Sequence, residues 1–249
     1  MSDLIIINTA PNHVCWSKFF VEELLKLDPE FKKIESLDVS ILMIFNQCSS
    51  YEDLFIKTKD KEDLKELKRL CSDKIRFDFN PQGGFEIGCL KFGYFNNKNF
   101  DKYILLQSTI IITDLMFFEV INSSSPPSFL LTNNQCYLWV LDNKILSNIE
   151  EWPTVTSKRD SVFYEAKFLE MLEEKFGKFN RINFSNFYSY EIKFGRKNQI
   201  ETTYYSSCVT SEKLIPIFQK YRGYWGQEKV GSFVEKNPTY CKIDFEETK

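Results

Sequence analysis

FDKYILLQSTIIITD, residues 100–114, is the stretch on which the fold turns. Asp101 and Lys102 lead into an apolar run over residues 103–106. The polar triplet Gln107-Ser108-Thr109 interrupts it, and Ile110, Ile111 and Ile112 resume it. Apolar runs of about four to eight residues bounded by turn signals read as strands buried on both faces. Three adjacent polar side chains do not belong inside such a strand, because each unpaired polar group there costs about 1–3 kcal/mol. The triplet is therefore expected at the C-terminal end of a central strand, facing a cleft. That is where open α/β sheets bind ligands.

Working back from this stretch, three more short apolar runs precede it, at residues 4–7, 39–45 and 74–79. Helical patterns separate them, at residues 14–25 with Asn12 as cap, 51–70 and 85–95. The order β-α-β-α-β-α-β predicts a mostly parallel sheet with right-handed crossovers. Each strand ends in small polar residues, which places Asn8, Asn46, Asn80 and Gln107 along one edge. Thr9 and His13 follow the first strand.

Forward of the stretch, residues 114–121 read as a short helix and 122–128, NSSSPPS, as a mobile rim loop. A strand is expected at 135–141 and a helix at 162–176, capped by Asp160 or Ser161 and closed by Gly177. Residues 188–194 and 199–205 alternate like a hairpin, and 211–221 reads as a short helix, kinked or started late by Pro216. The division expected is a core over residues 1–180 and a C-terminal extension over 181–249 packed on the same domain.

The totals narrow the function classes. With 249 residues, 43% hydrophobic and 27% charged, the chain is long enough for a large core and too apolar for wholesale disorder. A net charge of −3 gives no support for a nucleic-acid or membrane-surface binder. The 24 Phe and 12 Tyr accompany many Lys, Asn and Ile, as an AT-rich coding sequence would produce. Seven scattered cysteines without CxxC read as reduced thiols of a cytoplasmic protein. A single histidine, His13, gives no support for a His-based metal site or a Ser-His-Asp triad. No apolar run reaches the roughly 18 residues that span a bilayer.

Four pieces together resemble a GT-A-fold glycosyltransferase of the small type found in bacteria and in large DNA viruses of algae and protists. They are Asn8-Thr9, the turn and helix NPQGGFEIGCLKFGYF, the strand YILLQSTIIIT, and KRDSVFYEAKF after the strand CYLWVLDNKIL. The resemblance covers about residues 3–176 and implies an α/β fold with a GT-A-like (Rossmann-like) sheet. It also implies a nucleotide-sugar lying across the ends of the first and fourth strands, a UDP-sugar with UDP-xylose as one candidate, and a glycan or glycoconjugate as acceptor. Donor contacts are then expected from Asn8, Thr9, Asn46, Asn80, Gly83, Gly84, Gln107, Ser108 and Thr109.

Each piece carries a plainer reading beside this one. Gly83-Gly84 lets backbone N–H groups approach a phosphate at a helix start, or is simply a tight turn. Glu86 suits the first helical turn electrostatically. At Gln107-Ser108-Thr109 the family usually carries Asp-x-Asp, whose carboxylates hold Mg²⁺ or Mn²⁺. Neutral oxygens hold hard cations weakly, so a weakly bound ion or metal-independent transfer is expected. Inverting transfer needs a base. Asp160 is the first candidate and Glu165 the second, against a helix cap and a solvated face respectively. Lys158 and Arg159 would offset phosphate charge or lie on the surface. Trp152, Tyr224 and Trp225, with Arg222, would stack on sugar or form a lid, or else pack internally. A silent nucleotide-sugar or glycan-binding module is the alternative, and a nucleotidyltransferase a third. NTAPNH lacks the glycine- and basic-rich loop the last would need.

Overall fold

The computed structural model describes residues 2–108, 110–132, 135–181, 188–192, 201–209 and 214–222. β1 (Asp3–Thr9) passes through a 3₁₀ turn (Pro11–His13) into α1 (Val14–Leu27). The short α2 (Lys32–Ser36) precedes β2 (Val39–Asn46). Next come α3 (Tyr51–Lys57), α4 (Lys61–Leu70), β3 (Ile75–Asn80), α5 (Phe85–Asn96) and β4 (Lys102–Gln107). After these follow β5 (Ile110–Ile112), α6 (Met116–Ser123), β6 (Ser128–Thr132), β7 (Gln135–Asp142), α7 (Asn143–Ser147) and α8 (Lys158–Phe176). β8 (Asn180–Arg181), β9 (Tyr188–Ile192), β10 (Glu201–Val209) and β11 (Leu214–Arg222) end the series.

The main sheet has the order β3-β2-β1-β4-β7-β6-β8. β1 to β4 are parallel, whereas β7 runs antiparallel to β4 and to β6. The expected α/β class, with a mostly parallel sheet flanked by helices, is what this order shows. Strands are added leftward from β1 through β2 to β3, and then the chain crosses back to lay β4 on the other side of β1. The order therefore reverses between β1 and β4, the point at which open α/β sheets bind ligands outside the C-terminal ends of their strands.

Side-chain parity explains why these strands read as continuous apolar runs. On β1, Ile5 and Ile7 face a core shared with Phe20, Val21 and Leu24 of α1 and with Leu64 and Leu67 of α4. Leu4 and Ile6 face the opposite core, shared with Ile87 and Leu90 of α5 and Phe168 of α8. Alternate residues thus enter two separate cores, and the sheet is covered on both sides.

Several expectations are corrected. The 51–70 segment is two helices, because the Thr58 hydroxyl accepts the Asp60 N–H and turns the chain between α3 and α4. Asn12 does not cap α1; it lies within the 3₁₀ turn, and His13 holds the N-cap position. The opening stretch is not one strand, since β4 ends at Gln107 and Ile110–Ile112 leaves the main sheet. β5 instead pairs with β11 in a second sheet, β5-β11-β10-β9. Residues 214–222 are therefore a strand and not a helix. Pro216 sits where the β10–β11 register shifts, the kind of place where a strand tolerates a missing N–H. The β9–β10 hairpin is antiparallel as expected. Strand β6 had no counterpart in the sequence reading, and it begins at Ser128, the last residue of the expected loop.

Candidate functional site

The C-terminal ends of β1 to β4 carry two groups of polar side chains, one on each face of the sheet. On the α5 face, Asn80 anchors the row. Its Oδ1 accepts the Gln82 N–H at 3.2 Å and its Nδ2 donates to the Gly83 carbonyl at 2.6 Å. The same Nδ2 donates to Asn46 Oδ1 at 2.8 Å. Asn46 in turn donates to Asn8 Oδ1 and, at 3.4 Å, to the Phe85 carbonyl. Asn80 and Asn46 are buried, while Asn8 is half-buried and lies in register with Gln107 of β4. Four expected donor contacts are thereby brought to one edge, three of them hydrogen-bonded in series.

On the α1 face, His13 Nδ1 and Ser108 Oγ are 2.7 Å apart, both 6% exposed, joining the segments that follow β1 and β4. This bond spans the point where strand order reverses. The sequence placed His13 near the cleft but gave it no partner, because residues 95 apart are linked only by the sheet register. Thr9 turns the same way and shares a 3.0 Å hydrogen bond with Ser17 of α1, so its hydroxyl is spent in the core.

The turn into α5 is left-handed over three residues, with φ values of 68°, 94° and 52° at Gly83, Gly84 and Phe85. Gly88 presses against it: a Cβ there would stand 2.2 Å from the Gly83 carbonyl oxygen. A side chain at Gly84 would meet Gly88 at 2.9 Å and the Val155 carbonyl at 3.8 Å, so the segment before α8 runs alongside this turn. Glu86, buried in the first turn of α5, accepts a 2.7 Å hydrogen bond from Ser161 of α8. That pair ties the starts of the two helices together. The sequence offered Ser161 as a cap of its own helix and Glu86 as a first-turn charge but did not join them, and Ser157 holds that cap.

Asp160 is not itself the N-cap that the sequence allowed. Ser157 is the N-cap of α8, and Asp160 is its capping-box partner. Its Oδ2 accepts from the Thr156 N–H, the Thr156 hydroxyl and the Ser157 N–H. Hydrogen bonds from Ser157 and Thr156 hold its pKa below the ordinary carboxylate value. Glu165 lies in α8 one turn further on. Trp152, half-buried, packs between Phe95 at the far end of α5 and Phe168, with ring centroids 6.2 and 5.9 Å away. Arg222 ends β11. Thr109, Tyr224 and Trp225 lie outside the described residues.

As for metal, the edge offers amide, hydroxyl and imidazole groups and no carboxylate among Asn8, Asn46, Asn80, Gln107, Ser108 and His13. Among the described residues no group of three or more His, Cys, Asp or Glu gathers to hold an ion. This donor set does not fit a tightly held Mg²⁺ or Mn²⁺. Among the described residues no helix is long and apolar enough to cross a membrane.

No protein-family model matches the chain, and no curated protein matches it. Among solved structures it is similar to HddC from Yersinia pseudotuberculosis, at 15% identity over 73% of this chain and 89% of that one, with a TM-score of 0.42. It is also similar to the galactosyltransferase LgtC in complex with donor and acceptor sugar analogues, at 7% identity and a TM-score of 0.38. That match covers 70% of this chain and 64% of LgtC. A third is mouse xyloside xylosyltransferase 1, at 12% identity over 73% and 78%, with a TM-score of 0.35. None is close enough in sequence or shape to carry an argument about activity, which rests on the site itself.

Proposed function

We propose that this chain is a GT-A-type glycosyltransferase that binds a nucleotide-sugar, a UDP-sugar in the first instance, in the crevice between β1 and β4. The observation that carries the reading is the polar edge at the reversal of strand order. Asn8, Asn46, Asn80 and Gln107 line one side of it, and the His13–Ser108 bond closes the other. Glycine backbone at the start of α5 lies beside the same edge, where the helix dipole favours a diphosphate. The acceptor would be a glycan or glycoconjugate hydroxyl. The donors to be tried include UDP-xylose.

The test is a thermal-shift screen of nucleotide-sugars with and without Mn²⁺. A bound donor at 100 times its Kd stabilises by about 3 kcal/mol. If no nucleotide-sugar moves the melting point under either condition, the reading fails. Transfer or donor hydrolysis then separates an enzyme from a binding module.

One observation favours the silent module as a second reading. The Asp160 carboxylate already accepts three hydrogen bonds, and its lowered pKa makes it a weak base. Asp160→Asn decides between its roles. A general base would lose roughly 10²–10⁴-fold in kcat with donor binding retained. A helix cap would lower the melting temperature and leave kcat unchanged, which would pass the base to Glu165 or leave the site without one.

A further inference from the structure

Amide side chains leave their orientation open unless a neighbour fixes it, since each end can donate or accept according to how the group is turned. Here the neighbours fix it. A backbone N–H only donates and a backbone carbonyl only accepts, so Gln82 and Gly83 force Asn80 to point its oxygen at one and its nitrogen at the other. Asn80 then gives a proton to Asn46, which leaves Asn46 only its nitrogen for Asn8 and for the Phe85 carbonyl. Asn8 must therefore spend its oxygen on Asn46. Among the described residues its Nδ2 has no hydrogen-bond partner, nor has the side chain of Gln107 in register beside it.

We infer that Asn80 and Asn46 are positioning residues that set the polarity of Asn8, so that the crevice presents N–H donors at that point and selects a ligand carrying an oxygen acceptor there. The inference rests on the proposed nucleotide-sugar reading for the identity of the ligand, but not for the polarity. A phosphate oxygen, a base carbonyl or a sugar hydroxyl would serve alike. Asn46 need not touch the ligand to govern it. Replacing its NH₂ by a carboxylate oxygen would oblige Asn8 to turn over, point its nitrogen at residue 46, and offer its own oxygen to the crevice.

Two measurements test this separately. In ligand-free ¹⁵N-labelled protein, the NH₂ protons of Asn46 and Asn80 should exchange slowly and those of Asn8 fast. In Asn46→Asp the Asn8 pair should become the protected one. Slow exchange at Asn8 in the wild type, or no change at Asn8 in Asn46→Asp, overturns the relay, whatever the protein binds. In the second measurement, calorimetry compares inorganic pyrophosphate, uridine, UDP and UDP-glucose as probes. Asn8→Asp and Asn46→Asp should each weaken the best probe by at least about tenfold, through a lost donor and a facing oxygen. Affinity within twofold of wild type in Asn46→Asp, or tighter binding in Asn8→Asp, overturns the acceptor assignment. Which probe suffices identifies the acceptor: pyrophosphate a phosphate oxygen, uridine a base carbonyl, UDP-glucose alone a sugar hydroxyl. Binding of none of the four sinks the acceptor assignment together with the UDP-sugar form of that reading, and the exchange experiment still judges the relay.

Discussion

Ser157 and Asp3 show how a single side chain is read differently once its partners are known. Ser157 accepts the Asp160 N–H at 3.1 Å as the N-cap of α8. Ser157→Ala should lower stability by about 1 kcal/mol in urea unfolding and leave donor affinity unchanged. Asp3 opens β1 at the sheet end opposite the crevice, 1% exposed, and among the described residues neither of its carboxylate oxygens has a hydrogen-bond partner. Its register neighbour Lys102 donates to the Asn122 carbonyl instead. Burial pushes the Asp3 pKa up to about 6, against the opposing charge of Lys102. The folded protein thus holds this proton more tightly than the unfolded chain does. The group favours folding below pH 3.8 and costs stability progressively as the pH rises through about 6. The full effect is of the order of 3 kcal/mol. Asp3→Asn should be more stable than wild type at pH 7.5, and the advantage should vanish near pH 4 in denaturant titrations. An advantage that stays constant across this range would contradict the assignment.

At the scale of elements, the turn that starts α5 depends on close backbone approach. Gly88→Ala drives a Cβ into the Gly83 carbonyl, a backbone atom that cannot swing aside. A loss of about 1–3 kcal/mol is expected, with weakened donor binding because Gly83 also fixes Asn80. Gly93→Ala meets side chains and no backbone, Ile6 Cδ1 at 2.6 Å and Ile44 Cδ1 at 3.2 Å, and these can shift, so the loss should be smaller. Chemical denaturation of the two variants side by side checks the order. β1, β2 and β4 were legible because a strand buried on two faces has few polar positions to confuse it, whereas the short α2 carried too little pattern to be read. The Asn row was legible too, since each strand announces its end with an amide. What could not be read was pairing. Nothing local distinguishes β5 as a strand of another sheet, and Pro216 in LIPIFQKYR reads as a helix breaker until a bulge is known to accommodate it. The Ser157 cap was missed for a related reason. An acidic residue inside the first turn looks like a cap itself until its carboxylate is seen reaching back.

For the whole molecule, the chain passes from one sheet to the other within the few residues between β4 and β5, beside the crevice. Gln107 and Ser108 therefore sit at a joint between two sheets as well as at the end of one strand. β5 is made wholly of isoleucine, buried in the α1-side core, and hydrogen-bonded along its length to residues 218–220 of β11. The partner arrives more than a hundred positions later in the chain, so during synthesis β5 waits unpaired while the main sheet is already able to form. A polypeptide cut before Leu214 would keep that condition permanently, presenting an apolar strand edge with open N–H and carbonyl groups. Such a truncated chain should associate with itself, visible as a concentration-dependent rise in light scattering that the full chain does not show. Ile111→Lys in the truncated chain should suppress it by placing a charge on the sticky edge.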